Sequence, residues 1–235
     1  MLLLQPRDRN IFALLLRLKV ATLYQIKEAL NLSISRQMLS RRLGELCHEK
    51  YLEKMSFNQK AVYGLLEKAV ERLLDSDLKK THQTGLFRVD PKKLHHDLLL
   101  TEIYLKLKNL GEVENLKTHN DIIFEEGNEF YKIKIPDSLF QTKNKKMALE
   151  LEITAKAMNR YKHIFTQYYS NQKIDAVLYL VESAFLKEKL LEIEKTVFGF
   201  AQRKIFVGNI HDFLKDSLQT PFFSSKNKIL LLSKI

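Results

Sequence analysis

The run Met147-Ala148-Leu149-Glu150-Leu151-Glu152-Ile153 constrains this chain more than any other stretch. Strand side chains alternate with a period of two, so Met147, Leu149, Leu151 and Ile153 share one face. Ala148, Glu150, Glu152 and Thr154 share the other. Two carboxylates side by side are costly to bury unless something cationic compensates them. A second strand-like run, 129–135, lies before it across a polar turn that holds Lys143, Lys145 and Lys146. Asp137 follows Pro136 at the end of that run. If the two runs pair as a hairpin, Asp137 approaches Glu150. Three converging carboxylates suit a hard, oxygen-seeking divalent ion such as Mg²⁺. The bland alternative is an edge strand with solvated glutamates; the apolar residues around them favour a central strand. The basic turn either holds a nucleic-acid backbone or is a plain solvated hairpin tip.

Composition narrows the partners. A net charge of +11 favours a polyanion, nucleic acid first and an anionic membrane surface second. The single Cys47 excludes an internal disulfide and a cysteine-based zinc site, and fits a reducing cytoplasm. No apolar run approaches the roughly 20 residues of a membrane span. With seven glycines there is neither a GxxxxGK nor a GxGxxG pattern, so phosphate-loop and dinucleotide readings have no support. His95-His96-Asp97 is read as a helix N-terminus, because adjacent residues on a helix diverge by about 100°.

The first 65 residues carry eleven Lys/Arg against five Asp/Glu. Their spacing predicts a helix over 7–19, a second over 23–30 capped by Thr22, and a third from about 35 to 49. The third has an apolar stripe of Leu39, Leu43, Leu46 and Cys47. Gln37, Ser40, Arg41 and Gly44 lie opposite, with Arg36 and Arg42 on the flanks. A hairpin follows, with a basic tip at Asn58-Gln59-Lys60. This order resembles a winged helix-turn-helix, and the SISRQMLSRRLGELCHEKYLEK stretch resembles its recognition helix and first wing strand. The resemblance implies base-edge contacts from Gln37, Ser40 and Arg41, and phosphate contacts from Arg36, Arg42 and Lys60. The other reading of the arginines is a solvated helix face, and such modules also serve protein–protein contacts. A further helix, 66–78, either packs on this domain or pairs with a second copy. We therefore expect a winged domain over 1–78, a linker over 79–94 and a second domain over 95–235.

The second domain is expected as helix 95–110, strands at 112–118, 129–135 and 146–154, helix 156–170, strand 175–182, helix 184–199 and strand 204–209. The overall class is α/β with a mainly α N-terminal domain. The α-β-β-β-α-β order, with Pro136-Asp137 and Glu150-Leu151-Glu152, resembles the restriction-endonuclease-like PD-(D/E)XK fold. That resemblance implies Mg²⁺ or Mn²⁺ held by Asp137 and Glu150, with the family's usual lysine replaced by Glu152, which would act as ligand or base. Lys156 is the nearest residue to supply the missing positive charge, with Arg160 a turn further on. Glu102 is read as a solvated position beside Lys106, or as a further acid of the site.

A winged helix joined to such a domain resembles the replication-relaxation family of plasmid and mobile-element proteins, and MobC-type relaxases. The implied function is site-directed nicking at a transfer or replication origin. Its alternative is a non-catalytic origin-binding or regulatory protein. The implied partners are double-stranded DNA, a second copy of the chain, and conjugation or replication proteins. Tyr161, Tyr168 and Tyr169 are read as the packed face of their helix.

Overall fold

Short polar side chains decide where the first helices begin. The computed structural model describes residues 2–73, 88–126, 134–143, 145–198 and 203–234. They divide between two compact units, Met1–Leu105 and Lys106–Ile235. In the first unit, α1 (Pro6–Leu18) opens with proline in its first turn, where no N–H is needed. After β1 (Val20–Thr22), the Thr22 hydroxyl accepts from the Gln25 N–H while the Gln25 amide oxygen accepts from the Thr22 N–H. That reciprocal pair caps α2 (Leu23–Ala29) as the sequence predicts. Ser35 caps α3 (Arg36–His48) through the Met38 N–H at 3.2 Å. Leu39, Leu43 and Leu46 of α3 are fully buried. Each is worth roughly 1.5–3 kcal/mol over an exposed position.

β2 (Leu52–Phe57) and β3 (Lys60–Leu65) form the expected antiparallel hairpin. Its two-residue turn puts Asn58 and Gln59 at φ 48° and 63°. That geometry suits the right-handed twist of the flanking strands. β1 adds to β3, so the small sheet runs β1-β3-β2. α4 (Glu67–Leu73) follows. The expected linker lies outside the described residues over 79–87. Beyond it, α5 (Leu94–Lys108) belongs to the first unit as far as Leu105, the last residue of that unit. Leu94 joins Val20 and Val62 in one apolar cluster, and the Thr101 hydroxyl donates to the Val20 carbonyl at 2.7 Å.

The second unit contains β4 (Glu114–Thr118), α6 (His119–Glu126), β5 (Ser138–Thr142), β6 (Lys145–Glu152) and α7 (Met158–Ser170). There follow β7 (Ala176–Val181), α8 (Ala184–Val197), β8 (Ile205–Asn209), α9 (Ile210–Lys215), β9 (Phe222–Phe223) and β10 (Ile229–Leu230). The chain is thus α/β, with a helical N-terminal region and a seven-stranded mixed sheet of order β10-β9-β8-β7-β6-β5-β4. β6, β7 and β8 are parallel, joined by α7 and α8; the other pairs are antiparallel.

Two expectations need correction. A helix, α6, stands between the first two strands, so the order begins α-β-α-β-β-α-β. Its signal was present in Thr118-x-x-Asp121: the Asp121 carboxylate accepts from the Thr118 N–H, and the Thr118 hydroxyl accepts from the Asp121 N–H. The strand expected at 129–135 is not the hairpin partner of β6. Residues 129–133 lie outside the described set, 134–136 are irregular, and the partner strand is 138–142. Asp137 therefore leads into its strand instead of ending one.

Candidate functional site

Burial sorts the residues of α3. Arg36, Gln37, Ser40, Arg41 and Gly44 are exposed on its outward face, and so is Lys60 at the hairpin tip. Met38 is 56% exposed on the same side, an apolar group among cations. The Arg36 guanidinium lies 4.6 Å from the ring centre of Tyr24, itself exposed on α2, and Arg41 pairs with Glu45 one turn on. Arg42 departs from the expected set. Its side chain is buried and forks onto Asp8 of α1, with Nε to Oδ1 at 3.0 Å and Nη2 to Oδ2 at 2.6 Å. Nη1 donates to Glu45 and Nη2 to the Leu3 carbonyl. The hydrogen bond to Asp8 holds the guanidinium above the usual arginine range. Arg42 ties α3 to α1 with a side chain only 7% exposed, so it is withdrawn from the phosphate-contacting set.

The second cluster grows from strand register. Parallel pairing puts Ala148 beside Val177, Glu150 beside Tyr179 and Glu152 beside Val181. Ala148, Val177, Tyr179 and Val181 belong to the apolar core beneath α7 and α8, with Tyr161, Phe165 and Tyr168 above them. Glu150 and Glu152 therefore enter a buried row, 4% and 3% exposed. The solvated-edge reading is excluded for them.

Each carboxylate has partners. Glu150 Oε1 accepts from the Lys134 ammonium at 2.9 Å and from the Tyr168 hydroxyl. Glu152 pairs with the Lys156 ammonium. The Lys156 N–H donates to the Tyr161 hydroxyl at 2.9 Å. Asp137 Oδ2 accepts from the Leu151 N–H at 2.8 Å, which brings it beside Glu150 as the hairpin argument requires. Burial pushes the Glu150 carboxyl up to about 7. Lys134 pulls against this and the Asp137 charge adds to it. Burial also lowers the Lys134 ammonium, but the charges of Glu150 and Asp137 outweigh it and hold it above the usual lysine range. Tyr179, in the same row, is raised well above the usual tyrosine range by burial and then by Glu150. Its hydroxyl has no hydrogen-bond partner among the described residues.

The structure thus places Asp137, Glu150 and Glu152 in one region in pairwise contacts, Glu152 with Lys156, and adds Lys134, Tyr168 and Tyr179. Tyr161 and Tyr168 are fully buried, as the packed-face reading expects, but their hydroxyls also serve the cluster. Arg160 and Glu102 are exposed. Nothing in the spacing announced Lys134; Tyr179 could have been noticed as the one hydroxyl in an otherwise apolar strand. A divalent ion fits this donor set poorly. Among the described residues no three His, Cys, Asp or Glu side chains stand together as metal ligands. Two of the three carboxylates, Glu150 and Glu152, already have an ammonium partner each, Lys134 and Lys156.

The two units define an α/β protein that pairs a basic helical face with a buried acidic cluster on a mixed sheet. The replication-relaxation family model matches residues 12–176, well over half of the chain. The chain belongs to that family. No curated protein and no solved structure matches it. Among the described residues, no helix is long and apolar enough to cross a membrane.

Proposed function

We propose that this chain is a DNA-binding protein of a plasmid or other mobile element that acts at a replication or transfer origin. The first unit is a winged helix-turn-helix that docks α3 in the major groove of duplex DNA. The carrying observation is the outward face of α3, where Arg36, Gln37, Ser40 and Arg41 are all exposed while the leucines and Arg42 turn inward. Arginine matches guanine and glutamine matches adenine with paired donors and acceptors. Arg36 and Lys60 supply phosphate contacts. Family membership supports the plasmid setting.

The second unit is a restriction-endonuclease-like scaffold that serves binding without hydrolysis. The resemblance would also allow a nick made at Asp137, Glu150 and Glu152, with Mg²⁺ or Mn²⁺ and with Lys156 stabilising charge. The two lysine–carboxylate pairs weigh against that activity.

Two assays test the proposal. A gel shift of the purified chain with duplex from its own origin is expected to show salt-sensitive binding, lost in Arg36→Ala/Arg41→Ala. Supercoiled plasmid carrying that origin, incubated with protein and Mg²⁺ or Mn²⁺, is expected to stay closed. Open circles that vanish with Asp137→Ala would establish the nickase instead.

A further inference from the structure

We infer that Glu150 and Glu152 of the second unit take their counter-charge from two lysines of the same chain, and that these lysines stand where a divalent ion would otherwise sit. The inference stands apart from the DNA-binding reading. Its starting point is the cost of burial. Two carboxylates in an apolar row are costly to ionise, and a neighbouring cation offsets that cost. Here each has its own ammonium: Lys134 on Glu150 and Lys156 on Glu152. Both lysine side chains are 26% exposed, so their heads reach inward from the rim of the sheet.

Lys134 is the better anchored of the two. Its ammonium also donates to the Ile135 carbonyl at 2.7 Å, and its backbone N–H donates to Gln167 of α7 at 3.0 Å. It lies close enough to Asp137 for that charge to help hold its proton. An ion entering between Asp137 and Glu150 must expel this ammonium, and Asp137 must keep or lose its bond to the Leu151 N–H. Mg²⁺ must in addition shed waters that it releases reluctantly. A cation tethered to the chain carries neither cost. Lys134 and Lys156 thereby fasten the end of β6 to the approach to β5 and to the start of α7.

The test is a Mn²⁺ titration of the full-length chain, reading free ion by electron paramagnetic resonance and folding by thermal melting. The wild type is expected to show no stoichiometric site that depends on Asp137, and no rise in melting temperature with Mn²⁺. Ions whose binding is unchanged by Asp137→Asn lie elsewhere on the surface and agree with the inference. Lys134→Met is expected to melt lower in metal-free buffer and to gain Mn²⁺-dependent stabilisation. Stoichiometric Mn²⁺ binding by the wild type, abolished by Asp137→Asn, would overturn the inference. The wild-type titration decides even if Lys134→Met fails to fold.

Discussion

Arg42→Met is the sharpest test of how α3 is mounted. The guanidinium is 7% exposed and its partner Asp8 is 0% exposed, with two bonds of 3.0 and 2.6 Å between them. Breaking a buried pair by removing one member costs roughly 3–5 kcal/mol, because the other charge is left uncompensated. Asp8 still accepts from the Gln5 N–H at 2.7 Å, which favours the lower end. About 3 kcal/mol in a unit of this size lowers its melting temperature by roughly 12–24 °C. Circular dichroism melts of the full chain would follow the transition of the first unit. Asp8→Leu combined with Arg42→Met removes both charges and is expected to recover much of the loss. The salt dependence of DNA binding should not change in Arg42→Met under conditions where it is folded. A variant as stable as the parent, yet with a shallower salt slope, would refute the buried role and restore Arg42 to the phosphate-contacting set.

Two tyrosines in the acidic row should behave oppositely. Tyr168→Phe removes a donor from the buried Glu150 and is expected to cost about 1–3 kcal/mol in urea unfolding; Tyr179→Phe deletes an unpartnered hydroxyl and should be neutral or slightly stabilising. A large loss with Tyr179→Phe would show that its hydroxyl has a partner. Gly208→Ala would place a methyl 2.8 Å from the buried Phe222 ring, and is expected to cost about 1–3 kcal/mol by overpacking. Burial raises the Cys47 thiol, so less of it is thiolate than in a free thiol. Alkylation of the native chain near pH 8 should be slower than that of an unfolded control, and equal rates would contradict the half-buried placement.

Much of the first unit was legible because its signals are local. Thr22 with Gln25, Ser35 before an apolar stripe, and two polar residues between strand-like runs each fix a turn within a few positions. Arg42 stands at i, i+3, i+4 spacing with Leu39 and Leu43, which marks the inward face, but its partner Asp8, 34 residues away, was not legible. In the second unit the alternation at 147–153 correctly grouped Glu150 with Glu152, and the apolar neighbours correctly argued for burial. The pairing partner was misplaced because 129–135 has the stronger apolar pattern, whereas 138–142 is short and half polar. Lys134 escaped because a long side chain outside any strand has no periodicity to betray where its head lies.

DNA docking by the exposed face of α3 is open to direct measurement. Fluorescence anisotropy with a duplex from the chain's own origin, over a range of salt concentrations, tests it directly. The wild type is expected to lose affinity linearly in log–log terms as salt rises. Arg36→Ala should reduce the slope by about 0.9, the share of one phosphate contact. Gln37→Ala and Arg41→Ala should weaken origin DNA more than unrelated duplex, by roughly 1–3 kcal/mol per lost base contact. Affinity and slope that stay at the wild-type values when Arg36, Gln37 and Arg41 are all replaced by alanine would contradict it.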